Sequence, residues 1–208
     1  MRTTAVLGLL MFLLGAPAFA ADRFPEIPLD KMTPEQRKVA EAIMSGPRGR
    51  LSGPFNAWLR DPELGDRLQK VGEHIRFKSV LPARLNEFAI LITARHWTSQ
   101  YEWFAHYPLA MQGGLDPKVA ADLAAGRRPR GMGEEEAIVY DFSTQLHRHG
   151  TVTDAVYDKA LAKFGEQGVM DLIGVNGYYD IVSMTLNVAK VMPPVGEKLP
   201  LKVRVIRR

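Results

Sequence analysis

Glu87, Glu102 and His106 are the residues of this chain whose types and spacing best suit chemistry: three ionisable side chains, fifteen and four residues apart, set in apolar sequence. Residues four apart share one helix face, so a helix over 98–112 points the Glu102 carboxylate and the His106 imidazole the same way. A carboxylate one turn from an imidazole can orient the ring or raise its pKa, and Glu87 is placed where an adjoining helix reaches the same space. That is acid–base geometry. The same residues also read as a buried Glu–His ion pair joining two helices, which perturbs pKa values without doing chemistry.

Several neighbours extend either reading. Ser99 lies one turn before Glu102 and can donate a hydrogen bond, although serine is also an ordinary first-turn residue. Arg95 and His96 fall at the junction of two helices, where Arg95 either grips a substrate carboxylate bidentately or pairs with Glu87 two turns earlier. Trp97, Tyr101, Trp103, Phe104 and Tyr107 form a pocket wall, a core stripe or a subunit interface. Phe55 and Trp58, after a Gly53-Pro54 turn, either close a pocket or simply pack, and Tyr178 and Tyr179 offer hydroxyl donors. For a metal the pattern is poor. His147 and His149 point to different faces, and Glu102 with His106 supplies only two ligands, so no metal site is expected.

The elements that would position these residues are helical. Thr33-Pro34-Glu35-Gln36 reads as a capping box opening a helix that Gly46-Pro47 stops near Ser45. The glycine- and arginine-rich stretch 46–54 lacks the pattern of a phosphate-binding loop and reads as a connector. A helical turn follows at 54–59, then a helix over 62–77 with Leu64, Leu68, Val71 and Ile75 expected inward. The run from Pro82 to Trp97 is nearly apolar and should be the central helix, where Glu87 needs a partner because an unpaired buried carboxylate is costly. The helix over 98–112 ends at Gly113-Gly114, and a short helix from Asp116-Pro117 ends near Gly126. Further helices are expected over 134–149, with Ala137, Ile138, Tyr140, Phe142 and Leu146 inward, and over 154–164. The last, over 166–191, has Val169, Leu172, Ile173, Val182, Met184 and Leu186 available to the core. Only Leu199–Ile206 hints at a strand, so the fold class is all-α.

The chain as a whole narrows the function classes. Its first twenty residues read as a secretory signal: Arg2, an apolar run from Ala5 to Gly15, then Ala18-Phe19-Ala20 as a cleavage site, with a soluble, secreted or periplasmic product starting near Ala21. Residues 21–32 form an extended arm, 33–192 one helical domain and 193–208 a basic tail. The absence of cysteine from these 208 residues excludes disulfides, thiol redox chemistry and thiolate metal sites within them. Net charge is +4, falling to +3 when Arg2 leaves with the signal. Lys198, Lys202, Arg204, Arg207 and Arg208 give the tail its charge, read as a disordered solubilising end rather than a nucleic-acid or lipid contact. No stable membrane insertion is expected.

The stretch NEFAILITARHWTSQYEWFAH, residues 86–106, resembles the core of the carboxymuconolactone decarboxylase family, which includes the AhpD-like alkylhydroperoxidases. In the peroxidase branch a Glu precedes a CxxC pair and a His, and those cysteines fall here on Ser99 and Glu102. The decarboxylase branch carries Glu, Glu and His at the intervals of Glu87, Glu102 and His106. The resemblance covers roughly residues 50–190 and implies an AhpD-like helical bundle assembling as a homo-trimer or homo-hexamer. It also implies a reaction with no cofactor: a carboxylated lactone loses CO2, electrons delocalise into the carbonyl and a proton reaches the carbanion. On that pattern His106 is the acid/base, Glu102 orients it and Glu87 is a second acid or relay. An export signal departs from a cytoplasmic catabolic pathway, which widens the expected substrate to a small organic acid or lactone and the reaction to a lyase or isomerase. The alternatives are a peroxidase, whose known chemistry needs the missing thiols, and an oligomeric binding protein without catalysis.

Overall fold

From Leu85 to Arg95 every residue is buried, so this stretch makes contacts around its whole circumference. In the computed structural model, which describes residues 23–202, it is the heart of α4 (Ala83–Trp97). Around it, among the described residues, stand α1 (Pro34–Ser45), α2 (Phe55–Trp58), α3 (Pro62–Phe77), α5 (Gln100–Gln112), α6 (Pro117–Ala124), α7 (Glu134–His149) and α8 (Asp154–Ala189). α4 packs on α5, α6, α7 and α8, while α1, α2 and α3 group at one side, with α3 also against α8. No strand occurs among the described residues, so the fold is all-α. The expected signal segment and tail residues Arg204, Arg207 and Arg208 lie outside the described residues, as does most of the hinted strand; residues 199–202 carry none.

The helix ends follow local chemistry. Thr33 and Gln36 form the capping box at α1, each side chain meeting the other's backbone N–H. Asp61 caps α3 and Asp116 caps α6. Gly165, at φ 67° and ψ 179°, breaks the helical path inside α8, where the sequence separates two helices. Between α4 and α5 the chain turns through Thr98 at φ 52°.

Three expectations are corrected. On α3, Leu64 and Val71 are 47% and 48% exposed, and the buried positions are Gly65, Gln69, Gly72 and Ile75. The helix approaches its neighbours through glycines: a Cβ on Gly65 would stand 2.9 Å from the Trp58 carbonyl oxygen, and one on Gly72 only 2.0 Å from the Tyr178 hydroxyl. On α8, Ile173 and Met184 are likewise exposed, whereas Val169, Leu172, Val182 and Leu186 are buried. The tail is not free up to residue 202: Leu201 is buried and its backbone N–H and C=O both bond the Gln100 side chain. At the other end, the arm runs over its own domain, with Asn56 bonding the backbone of Phe24 and Ile27.

Candidate active site

α4 and α5 are the elements that bring the ionisable residues together. Glu87 leaves α4 between Asn86 and Phe88, and Glu102 and His106 leave α5 one turn apart; all three are buried, at 7%, 2% and 6% exposure. His106 Nδ1 donates to Glu87 Oε2 at 2.6 Å, a charge-assisted bond when the ring is protonated. On the other side Nε2 stands 3.0 Å from Glu102 Oε1, a second ion pair. Each ring nitrogen thus faces a carboxylate. Burial pulls the imidazole pKa down, but Glu102 and Glu87 outweigh it and push the pKa up to about 9. His106 is therefore an imidazolium at neutral pH, with Glu87 fixing its Nδ1 side.

Glu102 and His106 open onto a cavity of about 370 Å³, whereas Glu87 lies behind the ring, off the wall. Tyr101, Ala105 and Leu109 of α5 share that wall with Tyr178, Tyr179 and Val182 of α8. The Tyr179 ring meets the imidazole edge-on at 5.0 Å and Tyr178 meets Tyr179 at 5.1 Å. Burial, above all, pushes the Tyr178 hydroxyl up to about 12 and that of Tyr179 well above its ordinary range, so both stay protonated donors. The rest of the lining is Arg76 and Phe77 of α3, Phe55 of α2 and the connector 47–54. Aromatic and aliphatic walls that also carry Arg48, Arg50, Arg76, Glu102 and His106 suit a small polar molecule.

The other residues singled out in the sequence separate into two groups. Phe55 and Tyr101 line the cavity. Trp58 is buried next to it, donating from Nε1 to Thr185 Oγ1 at 3.0 Å and packing edge-on against Phe55 and Tyr178. Ser99 is fully buried at the start of α5, where its hydroxyl has no hydrogen-bond partner, and it is not on the cavity wall. Arg95, His96 and Trp97 are elsewhere. Arg95 and His96 line a separate, small hollow with His147 and Arg148, His96 stacks on His147 at 4.7 Å, and Trp97 Nε1 donates to Asp180 at 2.5 Å. Eight residues along a helix turn a side chain by about 80°, so Arg95 diverges from Glu87.

Sequence spacing missed Arg48 and Arg76. Both line the cavity, and Arg48 comes from the stretch read as a plain connector. Its only sequence signal is a density of glycine and arginine between two helices. Among the described residues no three His, Asp or Glu side chains converge on a point that would hold a metal ion.

No protein-family model matches the chain, and no curated protein does. Among solved structures it is similar to an uncharacterized peroxidase-related protein from Silicibacter sp. TM1040, with a TM-score of 0.65 and 14% identity over 85% of this chain and 94% of that one. The likeness shows the fold: an all-helical architecture shared over most of both chains.

Proposed function

We propose that this is an exported, homo-oligomeric protein of the carboxymuconolactone decarboxylase type, a cofactor-free acid/base lyase or isomerase acting on a small organic acid or lactone. One observation carries the reading: a buried imidazolium held from behind by Glu87 shares a cavity wall with Glu102, whose Oε1 stands 3.0 Å from its Nε2. That pair stands at the cavity wall rather than sealed behind it, within reach of a small molecule. Glu87 then takes the orienting part and Glu102, at the cavity, joins His106 in moving the proton.

In the decarboxylation branch of this reading, the C–CO2 bond breaks, its electron pair passes into the conjugated carbonyl as an enolate, and CO2 departs. The carbanion carbon then takes the proton from His106 Nε2, directly or through Glu102, and solvent restores it. Tyr178 is placed to donate to the enolate oxygen, and Phe55, Phe77 and Val182 supply apolar surface that favours loss of a charged carboxylate. In the isomerase branch Glu102 removes a proton next to the carbonyl and His106 returns it at another carbon.

The solved neighbour is described as peroxidase-related, but the 208 residues here contain no cysteine to run a thiol peroxidase. The test is a panel of small carboxylic acids and lactones in deuterated buffer, followed for CO2 release and carbon-bound deuterium. Turnover of either kind that is lost in Glu102→Gln and His106→Gln is expected. Turnover that survives both substitutions would place the chemistry elsewhere.

A further inference from the structure

Arg48 is a cation the protein leaves incompletely matched. The guanidinium shares a hydrogen bond with the Tyr178 hydroxyl, but its Nε and Nη2 are buried without hydrogen-bond partners, and among the described residues it makes no ion pair with a carboxylate. What surrounds it is aromatic: the guanidinium carbon lies 4.9 Å from the Phe55 ring centre and 5.9 Å from that of Phe77. Gly72 leaves room for it, since a Cβ there would meet Arg48 Nη2 at 2.5 Å and the Tyr178 hydroxyl at 2.0 Å. Buried donors without acceptors are expensive, and Nε with Nη2 is the edge of a guanidinium that takes a carboxylate bidentately. In this structure Nη2 stands against Gly72 and Tyr178, and Arg48 lines the cavity; a bidentate contact would have the guanidinium turn towards that cavity.

We propose that Arg48, with Arg76 beside it on the cavity wall, forms a carboxylate-binding subsite that holds an organic acid by a group that does not react. Ionic hydrogen bonds stabilise a carboxylate in the ground state and so oppose its loss as CO2. The clamped group is therefore a handle, and the reacting carbon lies towards Glu102 and His106. Arg48, Tyr178, Tyr179 and His106 follow one another along the cavity, with ring separations of 5.1 Å and 5.0 Å over the last two steps. That span fits a small ring-bearing acid, with its carboxylate at Arg48 and its ring over the tyrosines. The handle role rests on the proposed acid/base reading, whereas the binding subsite itself does not.

Calorimetric titration of the purified protein with benzoate, succinate and inorganic phosphate tests it. Benzoate or succinate should bind, Arg48→Gln should weaken binding by about tenfold or more, as loss of a charge-assisted bidentate contact does, and Arg130→Gln, a remote and exposed change, should not. Arg48→Lys keeps the charge without the fork; it should weaken binding by a smaller factor, and it decides the matter if the Gln variant does not fold. Absence of carboxylate binding, affinity indifferent to both Arg48 variants, or Arg48-dependent binding of phosphate in preference to carboxylates overturns the subsite. Arg48-dependent binding without turnover leaves the subsite standing and removes the proposed reaction. Turnover indifferent to Arg48 does the reverse.

Discussion

Replacing Glu87 by glutamine separates the two carboxylates that face His106. The side chain keeps its volume and an acceptor for Nδ1 but loses the charge at 2.6 Å. In the native protein the imidazole pKa rises from 6.5 to about 9. At about 1.4 kcal/mol for each tenfold change in proton affinity, that amounts to roughly 3 kcal/mol for this buried group. The sign follows from the direction: a folded pKa above the unfolded one contributes fully below pH 6.5, and the contribution is lost as pH climbs through about 9. Burial opposes the rise, while Glu102 and then Glu87 drive it, so removing Glu87 should forfeit part of it, on the order of 1 kcal/mol. Urea unfolding at pH 6 should show the variant less stable by that amount, with the gap closing above pH 9, and the imidazole resonances of His106 should titrate between 6.5 and 9 rather than near 9. A wild-type His106 titrating at or below 6.5, or a stability gap equal at both pH values, would refute the electrostatic account of the cluster.

Other perturbations probe the scaffold. His147 has its pKa lowered, chiefly by burial with Asp180 opposing, so its contribution is present above pH 6.5 and lost as pH falls through the lowered value. His147→Gln should therefore flatten the fall in melting temperature between pH 6.5 and 5. Asp171 accepts from Ser79 Oγ at 2.9 Å and from the Val80 backbone N–H at 2.7 Å; Asp171→Ala strands that N–H and should cost about 1–3 kcal/mol in urea unfolding. Gly65→Ala should destabilise by about 1–3 kcal/mol through overpacking, because the new methyl meets backbone at 2.9 Å, and this outweighs the gain of up to about 1 kcal/mol in helix propensity.

The parts of this molecule legible in the sequence are those governed by periodicity and local capping. A nearly apolar run named α4 as the centre, Thr33 with Gln36 marked the start of α1, and four-residue spacing put Glu102 and His106 on one face. Glu87 was legible because a carboxylate in that run needs a partner, and its partner is His106 Nδ1. What depends on approach between distant segments was not. The inward face of α3 is made by Gly65 and Gly72, which carry no hydropathy signal, so Leu64 and Val71 were assigned inward instead. Arg48 reaches the cavity because of the path its connector takes, and no spacing rule links it to residue 106. Arg95 had the right chemistry on the central helix but the wrong angular position, and its hollow is shared with His147.

Glu102→Gln, measured for both folding stability and turnover, tests the central claim most directly. Since Glu87 still holds His106 Nδ1, stability at pH 7 should fall by only about 1–2 kcal/mol, the share of the raised imidazole pKa that Glu102 supplies, while proton exchange and CO2 release on the acid panel disappear. A loss of about 3–5 kcal/mol, as follows removal of one partner from a buried ion pair, together with turnover that persists, would make the cluster a structural joint between α4 and α5 and contradict the acid/base account.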